Sequence, residues 1–178
     1  IHKPQTMLDE KLNFCKINNI NLIVDSHSSY KDFEEKTGIK AIRSPFTATP
    51  KNFYPRDVEK KFDIGFSGAL HGKENECKIW LATTGPMLDV SPRYFEVMLS
   101  KTLLLCNNMP EQYEDYLTDG VNCVTFNNDL DNFDEKIDYY LNNEEPRRKI
   151  IETAYETAVN NYTWKHMAQR LLTNIKEL

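Results

Sequence analysis

Short apolar segments alternate with amphipathic segments along most of this chain, and that alternation restricts the possible folds more than any other feature. Apolar segments at 61–66, 78–84 and 102–106 have the length of buried β-strands. The segments between and after them show the three- and four-residue apolar spacing of helices. Strands that alternate with helices favour a parallel sheet. The sequence therefore predicts an α/β fold with a Rossmann-like, doubly wound parallel sheet.

A break in this alternation divides the chain. Residues 1–43 contain one strand–helix–strand unit, and residues 44–56 contain prolines at positions 45, 50 and 55, which disfavour regular structure. We therefore expect residues 1–56 to be the end of a first domain with its linker. Residues 57–178 would form the second domain.

Composition narrows the classes of partner. The net charge is -5 and no basic stripe is present, so we expect no nucleic-acid partner. No apolar run approaches the roughly 20 residues of a membrane span, so we expect no transmembrane segment. The four cysteines form no C-x-x-C pair and show no zinc spacing. We therefore expect free thiols, no metal site and a cytoplasmic location.

The stretch from Ser91 to Ser100 is the strongest candidate for a functional site. Ser91 suits the N-cap of a helix and Pro92 suits its first position. Arg93 and Glu96 share one polar stripe with Ser100, and we expect this stripe to face solvent. A cation in a first helical turn opposes the helix dipole, whereas a bound diphosphate would reverse that effect. Glu96 can accept two hydrogen bonds, as from a ribose diol.

The same spacing also fits an ordinary amphipathic helix with a surface ion pair between Arg93 and Glu96. Spacing alone leaves both interpretations open.

The loop after segment 61–66 is a second candidate. It contains Ser67, Gly68, His71 and Lys73, and its glycines suit close approach of the backbone to a phosphate. Its spacing is not that of a P-loop, so a plain turn between secondary-structure elements is the alternative. His71 is a candidate general base, a phosphate contact or an ordinary loop histidine.

Three further residues precede the Ser91 helix. Thr84 and Gly85 end the strand before it, and Asp89 stands just ahead of the helix. Ligands of open α/β sheets bind at the carboxyl ends of the strands. We therefore assign Thr84 and Gly85 to ligand binding, and Asp89 with His71 to catalysis.

Residues 78–105 resemble the C-terminal domain of group 1 glycosyltransferases of the GT-B fold, especially the branch that includes spore-maturation-type proteins. The resemblance covers about residues 62–178. It is carried by Ser91-Pro92-Arg93-x-Phe95-Glu96, Tyr113-x-x-Tyr116-Leu117, Asp119-Gly120-Val121-Asn122 and Tyr162-Thr163-Trp164.

The resemblance implies transfer of a sugar from a nucleoside-diphosphate sugar to a hydroxyl of an unknown glycan, lipid or protein acceptor. This chain would carry mainly the donor-binding half. Glu96 matches the glutamate that holds the ribose in relatives, and Arg93 would meet the diphosphate. Relatives need no bound metal, because basic side chains and a helix N-terminus stabilise the leaving diphosphate. The resemblance therefore implies no cofactor.

Two departures from the family pattern are visible. In retaining family 4 relatives a first glutamate precedes the ribose glutamate with seven residues between them, and Leu88 occupies that position here. Few residues separate Gly72 from the strand at Lys78, where relatives have a helix and a further strand. An alternative function is therefore a non-catalytic nucleotide-binding or interaction module with the same fold.

Overall fold

A computed structural model describes residues 4–26, 30–66, 73–84, 89–108, 113 and 116–177. The helices of these residues are α1 (Pro4–Ile17), α2 (Tyr30–Thr37), α3 (Pro92–Leu99), α4 (Phe133–Asn142), α5 (Glu144–Asn161) and α6 (Trp164–Lys176). The strands are β1 (Leu22–Asp25), β2 (Lys40–Arg43), β3 (Phe62–Gly65), β4 (Cys77–Ala82), β5 (Leu103–Asn107) and β6 (Val124–Phe126). A 3-10 turn, Glu74–Glu76, directly precedes β4.

Every strand pair among these residues is parallel. Strands β1 and β2 form a two-stranded sheet, and β3-β4-β5-β6 form a four-stranded sheet in chain order. The predicted α/β fold with a parallel sheet is thereby confirmed. The division into domains 1–56 and 57–178 stays a prediction.

Two apolar cores cover opposite faces of the larger sheet. Side chains of β5 alternate between the faces, with Leu104 and Cys106 in one core and Leu103 and Leu105 in the other. The first core contains the apolar side of α3, and the second includes α4. Helix α5 contributes to both, through Ile150 in the second core and small alanines in the first. Helix α3 is therefore held between the sheet and α5.

The segment that links the two sheets contacts the start of α6. Ala48 forms an isolated parallel bridge with Thr163, the N-cap residue of α6. Met167 of α6 is buried, whereas Trp164 is 49% exposed. The linker and the last helix are thus joined at their backbones.

Strand β3 is an edge strand that packs tightly against its neighbour. Gly65 pairs with Trp80 of β4, and a β-carbon at Gly65 would lie 2.6 Å from Cys77 Sγ and closer still to the Trp80 ring. Only a residue without a side chain fits under this ring. The buried Trp80 indole therefore depends on Gly65.

We expect Gly65→Ala to lower the free energy of unfolding by about 1–3 kcal/mol, because the added methyl group overpacks the site. Denaturant unfolding measures this change. Phe66→Ala is the control, since Phe66 is the next residue along and is 65% exposed. Equal effects of the two substitutions would contradict the prediction.

Candidate functional site

Helix α3 begins where β4 leads to the carboxyl edge of the sheet. Ser91 is its N-cap residue in an extended conformation and Pro92 is its first residue, as predicted. The Ser91 side chain makes no capping hydrogen bond. A helix start that lacks a side-chain cap is suited to an external hydrogen-bond acceptor, because first-turn N–H groups have no partner within the helix itself.

Arg93 lies between two carboxylates. Its Nη1 atom is 3.1 Å from Oε2 of Glu96 and also donates a hydrogen bond to Oε1 of Glu74. The side chains of Arg93 and Glu96 are each 11% exposed, and that of Glu74 is 1% exposed. The cluster of Glu74, Arg93 and Glu96 therefore carries one excess negative charge in a site that is largely withdrawn from water.

The expectation that the polar stripe of α3 faces solvent is wrong. Glu96 is 8% exposed and Ser100 is 2% exposed. Helix α3 is covered by the sheet and α5, and the 3-10 turn that carries Glu74 reaches its remaining side. The interpretation of Arg93 and Glu96 as an ordinary surface pair fails for the same reason.

Glu74 is fixed by its surroundings. Its backbone carbonyl accepts a hydrogen bond of 2.6 Å from Thr102 Oγ1 at the start of β5. The adjacent Asn75 accepts a bond of 2.9 Å from the backbone N–H of Arg56 and donates one of 3.2 Å to the carbonyl of Tyr54. The turn is thus held from two sides. Sequence reasoning missed Glu74, because its polar neighbours are typical of an exposed loop.

The indole of Trp80 lies beneath this cluster. The Arg93 Cζ atom is 5.9 Å from the centre of the Trp80 ring, within the range of a cation–π contact. Trp80 is 3% exposed, and its Nε1 atom has no hydrogen-bond partner among the described residues.

Asp89 is held by a tyrosine. Its Oδ1 atom accepts a hydrogen bond of 2.6 Å from the Tyr113 hydroxyl. Burial, followed by this hydrogen bond, raises the pKa of Tyr113 to about 12, so the phenol stays neutral and donates at physiological pH. The Arg43 guanidinium lies over the rings of Tyr113 and Tyr116, at 4.5 and 4.9 Å. The smaller sheet therefore reaches the surroundings of Asp89 through Arg43.

An asparagine network connects the carboxyl ends of three strands. Asn107 Oδ1 accepts a bond of 3.0 Å from the Thr84 N–H, and Asn107 Nδ2 donates to Thr84 Oγ1 at 3.2 Å. The same Nδ2 atom donates to Asn128 Oδ1 at 3.0 Å. Thr84 is therefore positioned by Asn107, a residue that the sequence analysis did not select.

The remaining candidate residues lie outside the described residues or just before β4. Ser67, Gly68, His71 and Gly85 lie outside the described residues. Lys73 lies just before the amino end of β4, with its carbonyl contacted by Cys77 Sγ at 3.6 Å. Its neighbour Glu74 bonds to Arg93, and ligand binding by Lys73 stays a prediction.

The described residues offer neither a cluster of metal ligands nor a membrane-spanning helix. Among the described residues, no group of three or more His, Cys, Asp or Glu side chains could hold a metal ion. No described helix combines the length and apolar character needed to cross a bilayer. All four cysteines are buried free thiols, as expected for Cys106 and Cys123.

The fold is similar to that of several solved glycosyltransferase structures. A sucrose-phosphate synthase from Thermosynechococcus elongatus matches with a TM-score of 0.68 and 8% identity, covering 99% of this chain and 62% of that protein. HepE from Anabaena in complex with UDP-glucose matches with a TM-score of 0.67 and 13% identity, covering 99% of this chain and 69% of that protein. A glycosyltransferase from Rickettsia africae matches with a TM-score of 0.63 and 12% identity, covering 99% of this chain and 68% of that protein.

The chain spans about half to two thirds of the length of these and other neighbours. In a GtfA/B complex, for example, the match covers 47% of the neighbour's chain. At these identities the likeness shows a shared fold, which is the GT-B fold of group 1 glycosyltransferases. No curated protein matches the chain. A family described as glycosyl transferase-like matches residues 74–173, more than half of the chain and all of α3 with its cluster. The chain therefore belongs to this glycosyl transferase-like family.

Proposed function

We propose that the whole protein transfers a sugar from a nucleoside-diphosphate sugar to an acceptor hydroxyl, and that this chain supplies mainly the donor-binding half. The observation that carries the proposal is the Glu96 carboxylate, nearly buried and held by Arg93 beside the start of α3. Such a carboxylate is oriented before any ligand arrives. HepE, a neighbour in fold, was crystallised with UDP and with UDP-glucose, which makes UDP the first nucleotide to test.

Glu96 would accept hydrogen bonds from the two ribose hydroxyls, since an ionised carboxylate offers two acceptor oxygens. The N–H groups at the start of α3, with Ser91 and Pro92, would face the diphosphate. Thr84, fixed by Asn107, would line the same edge. Ser67, Gly68, Lys73 and Gly85 stay in the proposal on sequence grounds alone.

A contact between Arg93 and the diphosphate requires a change of partners. Its guanidinium is bound to Glu74 and Glu96. A diphosphate could replace Glu74 as the second anion, because both offer oxygens to the planar guanidinium. The leaving diphosphate would then be stabilised by this side chain and the helix start, without a metal or another cofactor.

Asp89 is the proposed catalytic carboxylate, with His71 as a second catalytic residue. The neutral Tyr113 phenol donates to Asp89 and so orients the carboxyl group of this residue. Asp89 would therefore act as a base or as an electrostatic partner of the developing positive charge on the sugar.

One observation favours the second candidate, a nucleotide-binding or interaction module without transfer. Leu88 stands where retaining relatives carry an acid. Nucleotide binding with no release of sugar from any donor, measured on the full-length protein, would support this second candidate.

The role of Arg93 is tested by calorimetric titration of UDP, GDP, ADP and the free nucleosides. We expect Arg93→Ala to weaken binding of the diphosphate by about 1.5–3 kcal/mol and binding of the nucleoside by much less. Arg93→Lys keeps the charge and can be titrated instead if the alanine variant does not fold. Lys165→Ala, at an exposed position of α6, is the control. Equal losses for nucleotide and nucleoside would exclude contact between Arg93 and the diphosphate.

A further inference from the structure

A cavity of about 310 Å³ lies at the amino edge of the four-stranded sheet. It is formed by the residues that precede β3, β4 and β5 and by the first half of α5. Because the strands are parallel, this edge is opposite the one at which α3 begins. Its lining contains none of Glu74, Arg93 and Glu96, so it differs from the proposed donor site.

The cavity concentrates positive charge in a chain whose net charge is -5. Its lining holds two acidic side chains, Glu144 and Glu152, and six basic ones, a net charge of +4. The six are Arg56, Lys60, Lys78, Lys101, Arg147 and Arg148.

Only two of these cations have a carboxylate partner. Lys78 pairs with Asp63 at 2.6 Å, and Lys101 pairs with Glu152. Within the part of the chain that the structure describes, the other four form no ion pair. Their positive charges are therefore not balanced locally by the protein.

Three of these four cations are held by other contacts. Lys60 Nζ donates to Thr102 Oγ1 at 3.1 Å, and Arg147 Nη1 donates to the Leu141 carbonyl at 3.1 Å. Arg56 stacks on Tyr54, with 5.3 Å from Cζ to the ring centre. These contacts fix the positions of the side chains but do not neutralise them.

Three observations indicate that an anion would be stabilised here. Loss of hydration lowers the pKa of Lys60; the Cys77 thiol opposes this shift and the charge of Arg147 adds to it. Arg147 and Arg148 lie near the start of α5, where the helix dipole is also positive. Ser100 lines the cavity, is 2% exposed, and its Oγ atom has no hydrogen-bond partner among the described residues.

We propose that this cavity binds a phosphate-bearing anion at a site distinct from the donor site. Arg56, Arg147 and Arg148 carry planar guanidinium groups that suit phosphate oxygens, and Lys60 adds a point charge. A phosphate group carries about -1.5 to -2 charges at pH 7 and so offsets up to two cations, whereas a single carboxylate offsets one. The phosphate belongs either to a free polyphosphate-type metabolite or to the headgroup of a lipid at a bilayer surface.

The solution experiment uses inorganic pyrophosphate, titrated at constant ionic strength and in excess UDP, which occupies the proposed donor site. We expect saturable binding to the wild-type chain, weakened roughly tenfold or more by Arg148→Gln, because a charged hydrogen bond is lost. Arg148 is exposed, so this variant should fold. Lys60→Gln tests a second cation of the cavity, and Lys165→Gln is the control that should leave binding unchanged.

The membrane experiment uses phosphatidylcholine vesicles that contain phosphatidylinositol 4-phosphate, compared with phosphatidylserine vesicles of equal charge. Selective sedimentation with the phosphoinositide, lost in Arg148→Gln, identifies a lipid headgroup as the source. Binding of pyrophosphate alone identifies a free phosphate. The proposal is overturned if neither probe binds, or if Arg148→Gln and Lys60→Gln bind both probes as the wild type does.

Discussion

Replacement of Glu74 by alanine is expected to lower the free energy of unfolding by about 3–5 kcal/mol, the cost of removing one partner from a buried ion pair. The Glu74 side chain is 1% exposed and bonds to Arg93, whose side chain is 11% exposed. Without Glu74, the guanidinium keeps Glu96 but loses one acceptor in a site that water hardly reaches. Denaturant unfolding of wild type and variant measures the difference.

Glu76→Ala is a matched control for this prediction. Glu76 lies in the same 3-10 turn, its side chain is 26% exposed, and it pairs with Lys61 at 3.4 Å. A surface pair of this kind contributes about 0–1 kcal/mol. If Glu74→Ala costs no more than Glu76→Ala, the buried cluster does not stabilise the fold as its geometry indicates.

Replacement of Glu96 by alanine should weaken binding of nucleoside diphosphates by about 1–3 kcal/mol, or roughly 5- to 150-fold in Kd. Nucleoside and nucleotide should lose equal affinity, because the proposed contact is to the ribose. This pattern is the opposite of the one expected for Arg93. The substitution should also destabilise the chain, since Glu96 is 8% exposed and holds Arg93, so titrations belong well below the unfolding temperature.

A ligand change makes this test specific. A dideoxynucleotide lacks both hydroxyls and should bind the wild type as weakly as the ordinary nucleotide binds Glu96→Ala. In the variant, removal of the hydroxyls should cause little further loss, because the two changes remove one interaction. Additive losses would show that Glu96 does not contact the ribose. Glu96→Gln keeps the shape of the side chain and separates loss of charge from loss of packing.

The order of strands and helices was predictable from the sequence, because apolar periodicity determines both elements. The start of α3 was predictable for a local reason, since Ser91 and Pro92 prefer the positions that they occupy. The elements that surround α3 were not predictable in this way. Periodicity shows which residues share a face of a helix, but it does not show whether another element covers that face. Glu96 and Ser100 were consequently expected in solvent, and both are buried.

Contacts between distant segments account for the rest of what was missed. Glu74 lies 19 positions before Arg93, and Asp89 lies 24 before Tyr113. No local pattern marks such partners, because each pair meets only after the sheet has formed. Asn107 likewise became visible as an organiser of Thr84 only when β4 and β5 lay side by side.

The position of Trp80 gives the cluster an optical reporter. The chain has two tryptophans, and they are in contrasting environments, with Trp80 3% exposed and Trp164 49% exposed. The Trp80 ring lies 5.9 Å from the Arg93 guanidinium carbon, so a movement of that charge alters the electric field at the indole. With phenylalanine in place of Trp164, and with excitation at a wavelength that tyrosine does not absorb, the emission would come from Trp80 alone. Exchange of Arg93 between its carboxylates and a phosphate could then be followed in real time, without a label.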